Sequence, residues 1–320
     1  MHPHVHYDPI WWIGFNLAIL AMLALDLGVF HRKNETLSVR HSLAWTLIWI
    51  AVSMAFNYGI VYPVFGGEKS MEFLTGYVIE KALSVDNLFV FLVLFQFFKV
   101  PDQLQHRILF WGILGALVMR AGFIFGGIAL IDNFHFLIYL FGVFLIWTGY
   151  KVATGGSDEP DPMSNPMIKL VRKILPVTSD FHGGRFLIRR KNLFIATPML
   201  LVLVAVETTD LLFAVDSIPA IIAITTDEFI VYTSNVFAIL GLRSLYFALA
   251  AIMRLFRYLK YGLGFILIFV GAKMVLTDIY KVPIPIALAV VLGSLGLSIA
   301  VSLLRPAPAE EAVAAAEPAD

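Results

Sequence analysis

Apolar residues along this chain run in long blocks, and a helix needs roughly 20 such residues to cross the hydrocarbon of a bilayer. Nine stretches meet that requirement: 11–30, 43–62, 71–98, 107–131, 134–151, 194–222, 229–250, 262–279 and 283–304. The block from 107 to 151 is divided only by Asp132-Asn133, which reads as a tight turn. The pattern predicts an all-α polytopic membrane protein of about nine transmembrane helices.

Composition agrees with the pattern. The 320 residues are 59% hydrophobic and 14% charged, with a mean hydropathy of +0.84. A soluble domain carries about 25% charged residues. Formal net charge is zero and the basic residues are scattered, which argues against a nucleic-acid partner. Cysteine is absent, so disulfides, thiol catalysis and thiolate metal sites are excluded. The start, MHPHVHYDPIWW, lacks the basic n-region of a cleaved signal, so the first apolar block reads as a retained span.

Loop charge sets the expected orientation. Seventeen Lys and Arg residues fall in the loops on one side, among them Arg32, Lys99, Lys151, Arg189 and Arg254, against Lys69 and Lys281 on the other. The positive-inside rule then predicts an external N-terminus and a cytoplasmic C-terminus. The expected organisation is a His-rich external tail (1–10), a transmembrane domain (11–304) with a cytoplasmic loop at 152–193, and a disordered cytoplasmic tail (305–320). Within the loop, PMIKLVRKIL places Met167, Ile168, Val171, Ile174 and Leu175 on one helical face, away from Lys169, Arg172 and Lys173. That suits an interfacial helix on anionic lipid.

Two halves of the chain resemble each other. Ser84-Val85-Asp86-Asn87 parallels Ala214-Val215-Asp216-Ser217, and Ile113-Leu114-Gly115 parallels Ile239-Leu240-Gly241, with Arg120 or Arg243 following. GVFLIWTGYK (142–151) aligns with GFILIFVGAK (264–273), the lysine of the second being Lys273. Spans 3–5 and 6–8 therefore read as an inverted-topology repeat, an arrangement that puts a transporter's substrate at the repeat interface.

Six acids fall inside expected spans away from their end residues: Asp26, Glu80, Asp86, Glu207, Asp210 and Asp216. An ionised acid at a helix centre costs about 2.5–3.5 kcal/mol on the insertion scale, so such residues point to function. The structural alternative is a set of ion pairs to Arg120, Arg243, Lys81 or Lys273. Glu207 and Asp210 share a helical face, whereas Glu80 and Asp86, or Asp210 and Asp216, do not. Convergence needs a break, and Pro219 is the expected one, freeing carbonyls beside Asp216. Carboxylates with Ser84, Asn87, Thr208, Thr209, Ser217 and carbonyls form a hard oxygen donor set, suited to Mg²⁺, Ca²⁺ or Mn²⁺ as transported ion rather than to a resident cofactor.

EKALSVDNLFVF (80–91), ETTDLLFAVDSIPAI (207–221) and NVFAILGLRSLYF (235–247) closely resemble the signature segments of the TerC family, and of its Alx-type members in particular. The resemblance implies a nine-span bacterial inner-membrane protein associated with manganese efflux and with tellurite resistance. Its acidic motif residues fall on Glu80, Asp86, Glu207, Asp210 and Asp216. The leading expectation is secondary export of Mn²⁺, with protons as one candidate counter-ion, since no GxxxxGK[ST] motif is present. The alternative is a membrane factor that delivers metal to, or helps assemble, other proteins. A membrane enzyme is disfavoured, because neither YD nor GxGD occurs inside a span.

Overall fold

The protein is described by a computed structural model covering residues 7–30, 39–134, 136–154, 163, 165–190, 193–252 and 258–304. Side chains are described at all of these except 25–30, 39, 86, 89 and 249–252. The expected tails at 1–6 and 305–320 lie outside the described residues.

The chain runs through α1 (Pro9–Phe30), α2 (Val39–Phe56), a π-helical turn (Asn57–Val61), α3 (Tyr62–Phe65), α4 (Gly67–Phe97), α5 (Asp102–Asn133) and α6 (Leu137–Thr154). It continues through α7 (Pro166–Ile174), β1 (Leu187–Arg190), β2 (Leu193–Ala196), α8 (Pro198–Ile222), α9 (Glu228–Ile239), α10 (Leu242–Ile252), α11 (Leu259–Val275) and α12 (Ile284–Leu304). The architecture is a polytopic helical bundle. Among the described residues, its one sheet is the β1–β2 hairpin, antiparallel with Leu187 opposite Ala196. The hairpin takes residues 193–196, so the sixth helix begins at Pro198 rather than at 194.

Six stretches among the described residues are long and apolar enough to cross a membrane, in place of the nine expected: 40–65, α5, α6, α8, 228–248 and α12. The other three fall short for separate reasons. The described apolar part of α1 is Pro9–Ala24, and α11 has 17 residues. Helix α4 is long enough at 31 residues but carries Glu68, Lys69, Glu72, Glu80, Lys81 and Asp86. Its charges are sheltered by the surrounding helices, as Glu72 and Glu80 are both buried.

Small residues set the closest helix contact. Gly142 and Gly149 of α6 face Gly271 and Gly264 of α11, and a Cβ on Gly149 would stand 2.6 Å from the Gly264 carbonyl oxygen. A Cβ on Gly142 would stand 2.8 Å from the Gly271 oxygen. Without a water-driven hydrophobic force between helices in lipid, such backbone approach is a main source of association.

The helix break is not where the proline predicts it. Pro219 lies inside α8, one turn from its end, so the helix has little left to lose and runs on to Ile222. The break falls between α9 and α10. There Gly241 takes φ +82°, a conformation that costs an L-residue roughly 1–2 kcal/mol, and a Cβ would lie 2.8 Å from the Trp49 side chain.

Candidate functional site

The interior polar cluster is built by periodicity on α4 and α8. Glu80, Ser84 and Asn87 share one face of α4, and all three are buried. Asp210, Ala214 and Ser217 form a matching stripe on α8, where the small Ala214 leaves room for a large neighbour. That neighbour is Arg120 of α5, 1% exposed and the largest fully buried side chain.

Arg120 holds two carboxylates at once. Its Nε donates to Asp210 Oδ2 at 3.2 Å and its Nη2 to Asp210 Oδ1 at 3.1 Å, a bidentate fork. Its Nη1 donates to Glu80 Oε1 and, at 3.4 Å, to Ser217 Oγ. Ser84 Oγ donates to Glu80 Oε1 at 3.3 Å, and Asn235 Nδ2 of α9 donates to Glu80 Oε2 at 3.2 Å. Helices α4, α5 and α8 thus meet on one guanidinium, and α9 joins them through Glu80.

Two oxygens around this cluster are unsatisfied. Asn235 Oδ1 and Glu207 Oε2 are buried with no hydrogen-bond partner. Glu207 sits one helical turn before Asp210, and its carboxylate occupies the space over Gly115 of α5, where any Cβ would overlap it. A buried polar atom left unpaired costs about 1–3 kcal/mol.

The remaining expected site residues separate. Asp216 accepts from Thr148 Oγ1 of α6 at 3.3 Å. Thr208 Oγ1 donates to the Val204 carbonyl of its own helix. Asp86 lies in α4 and Asp26 in α1, but their side chains lie outside the described residues. Among the described residues, no three His, Cys, Asp or Glu side chains stand together as a group able to hold a metal ion.

Of the expected charge partners, Arg120 is bound to Glu80 and Asp210. Arg243 donates to His106 Nδ1 at 3.4 Å. Lys81 Nζ donates to the carbonyls of Ala238 and Leu240 at 3.1 and 3.4 Å, where the break has freed them. Lys273 Nζ donates to the Ala223 carbonyl at the end of α8, 2.9 Å away. Both lysines therefore cap helix C-termini, which carry partial negative charge, rather than pairing with carboxylates.

A second polar cluster, absent from the sequence reading, lies where α4 begins and α9 begins. Lys69 Nζ bridges Glu72 Oε2 at 2.9 Å and Asp227 Oδ2 at 3.0 Å. Thr225 Oγ1 donates to Glu72 at 2.7 Å, and the Tyr7 hydroxyl donates to Asp227 Oδ2 at 2.7 Å. Burial, and then the Asp227 carboxylate, push the Tyr7 phenol well above its usual range. The available signal was Lys69 and Glu72 at i, i+3 beside a span start.

Comparison with known proteins fits this architecture. The model of the integral membrane protein TerC family matches residues 65–309. A relative from Myxococcus xanthus, described as an uncharacterised membrane protein, is 48% identical over 307 residues, covering 95% of this chain and 96% of its own. Alx of Escherichia coli K12, whose name describes a candidate membrane-bound redox modulator, is 45% identical over 90% of this chain and 92% of its own. Alx of Salmonella typhi is 44% identical over 92% and 94%. No solved structure matches. With the family model spanning α4 to α12 and these relatives spanning nearly the whole chain, this protein belongs to the integral membrane protein TerC family.

Proposed function

We propose that this protein is a secondary transporter exporting a hard divalent cation, Mn²⁺ first among them, through the carboxylates Glu80, Asp86, Glu207, Asp210 and Asp216. The observation that carries the reading is the state of these acids. Glu80 and Asp210 are buried and share one guanidinium, while Glu207, one turn away, keeps an unpaired buried oxygen. An arginine in this position does part of what a bound divalent cation would do, offsetting one of two buried negative charges. Cargo enters when Arg120 gives up at least one acid, and oxygen donors at Ser84, Asn87, Ser217 and Asn235 are within the same shell of polar groups.

The reading includes nine crossings, counting α1 and α11, which are apolar but short as described, and α4, whose Glu72 and Glu80 are buried by neighbours. It also keeps spans 3–5 and 6–8 as an inverted repeat. Support for the latter is the exchange at the α6–α11 contact: Gly142 meets Gly271 and Gly149 meets Gly264, as a two-fold axis between the aligned segments requires. The loop charge bias supports an external N-terminus and a cytoplasmic C-terminus. A thiol redox role is ruled out for the chain itself, which has no cysteine. Any redox modulation shared with the Alx relatives would act through the transported metal.

The test is Mn²⁺ flux in liposomes holding purified protein, wild type against Asp86→Asn and Asp216→Asn. Flux in the wild type that is lost in both folded variants is expected. No Mn²⁺ or Ca²⁺ movement by wild type under any imposed gradient refutes the transporter reading.

A further inference from the structure

The loop between α6 and α8 carries a surface that the transport reading does not use. Helix α7 is a well-defined element: Asn165 caps it, its Oδ1 accepting from Met167 N at 2.9 Å and Ile168 N at 3.4 Å, and Pro166 takes the first helical position. Its residues sort into three arcs at 100° per residue. Ile168 is fully buried in the cluster containing Met199 and Val202, and Val171 packs on the same cluster. Lys169, Arg172 and Lys173 form a basic arc. Between these two arcs, Met167, Leu170 and Ile174 are 46%, 45% and 67% exposed. The apolar arc expected from the sequence is therefore divided, and the protein covers only half of it.

The β1–β2 hairpin extends the same surface. Leu187, Leu193 and Phe194 are exposed, and the Arg189 guanidinium lies over the Phe194 ring at 5.9 Å. The hairpin root reaches the start of α5, where Phe186 is flanked by Arg107 at 5.5 Å and by the half-exposed Trp111. Trp147, exposed near the matching end of α6, has Lys151 over its ring at 5.7 Å. Exposed tryptophans beside basic residues mark the level of the lipid headgroups. Between 165 and 197 the sequence has seven basic residues and a single acid, Asp180.

We propose that α7 and the β1–β2 hairpin form a platform that lies on the anionic phospholipid of the adjoining leaflet. Met167, Leu170, Ile174, Leu193 and Phe194 enter the headgroup–acyl boundary, while the basic arc of α7 and the arginines of the hairpin bind the phosphates. Charge complementarity selects an acidic lipid, and the girdle of tryptophans places the platform at lipid depth. Ile168 then acts as the inner anchor, coupling the lipid-bound helix to the start of α8.

The absence of cysteine makes the experiment clean. The full chain with Leu170→Cys takes one spin label, on a side chain already exposed, and is reconstituted in vesicles of phosphatidylcholine alone or mixed with phosphatidylglycerol. Collision with oxygen and with a water-soluble nickel chelate is read in both. Phosphatidylglycerol should lower nickel access severalfold and raise oxygen access, and Lys169→Gln/Arg172→Gln/Lys173→Gln should abolish that difference. Equal nickel access in both vesicle types overturns the proposal, as does a lipid dependence that survives loss of the three basic residues. Neither readout depends on transport, so failure here leaves the flux result standing.

Discussion

Replacing Arg120 by glutamine should be among the most damaging single changes to stability in the membrane core, and its size follows from what surrounds it. Arg120 is 1% exposed, Glu80 is 0% exposed, and the guanidinium supplies Asp210 with two side-chain hydrogen bonds. Taking one member from a buried ion pair costs about 3–5 kcal/mol, because the remaining charge is left without compensation. Arg120→Gln strands two carboxylates, so the upper part of that range is expected. Glu80→Gln keeps the fork to Asp210 and loses one charge-assisted contact, which predicts about 1.5–3 kcal/mol.

The double variant should be less unstable than the sum of the two, by roughly 1.5–3 kcal/mol, since each change removes part of the reason the other is harmful. The assay is reversible unfolding in mixed micelles, followed by tryptophan fluorescence from the six native tryptophans. If the transport reading is right, Mn²⁺ at 100 times its dissociation constant restores about 2.7 kcal/mol to Arg120→Gln by mass action and little to the wild type. A loss below 1 kcal/mol for Arg120→Gln, or strict additivity with Glu80→Gln, refutes the electrostatic account. Stability losses of the expected size without any Mn²⁺ rescue would keep that account and remove Glu80 and Asp210 from the cargo site.

Two further outcomes test the frame around the site. Gly241→Ala combines roughly 1–2 kcal/mol for an unfavourable φ with about 1–3 kcal/mol of crowding against Trp49, so its unfolding midpoint should fall clearly and Trp49→Ala should recover only the crowding part. An unchanged midpoint would mean that the α9–α10 break is not needed. At the Tyr7–Asp227 contact the folded phenol holds its proton to higher pH than the unfolded one, so this contact stabilises fully below pH ~10 and is lost as pH rises through the folded value. The alkaline decline in stability should be shallower in Tyr7→Phe, and equal slopes would contradict the contact.

Sequence spacing could report only on one helix at a time, and that limit explains what was and was not legible. Apolar length marked α5, α6, α8 and α12 directly, because lipid demands it of each helix separately. It counted α4 as well, although that helix carries six charged residues, of which Glu72 and Glu80 are tolerated because other helices bury them. Glu80 was foreseeable as a partner of Arg120, but Asp210 lies 90 positions from that arginine on a helix whose facing direction no periodicity fixes. Lys81 and Lys273 looked like carboxylate partners because a sequence displays charges and hides carbonyls. Their acceptors exist only where α9 stops at Ile239 and α8 stops at Ile222. Pro219 drew attention as a helix breaker, yet position within the helix decided the matter, and a glycine able to adopt positive φ made the break.

The same accounting locates the function. Inside a membrane each charge must meet an opposite charge, a dipole or a cavity, so the compensated groups can be set aside first. Lys81 and Lys273 are taken up by helix ends, and Arg120 by Glu80 and Asp210. Among the described acids of this core, Asp216 has the Thr148 hydroxyl, and Glu207 retains an oxygen with no donor at all. Packing does not call for a glutamate there: Gly115 has given up its side chain to make room for one. On the transport reading, an unpaired carboxylate beside two acids that share one guanidinium is a place for a positive charge from outside. Glu207, more than the acids already bound to Arg120, is where the cargo would first be felt.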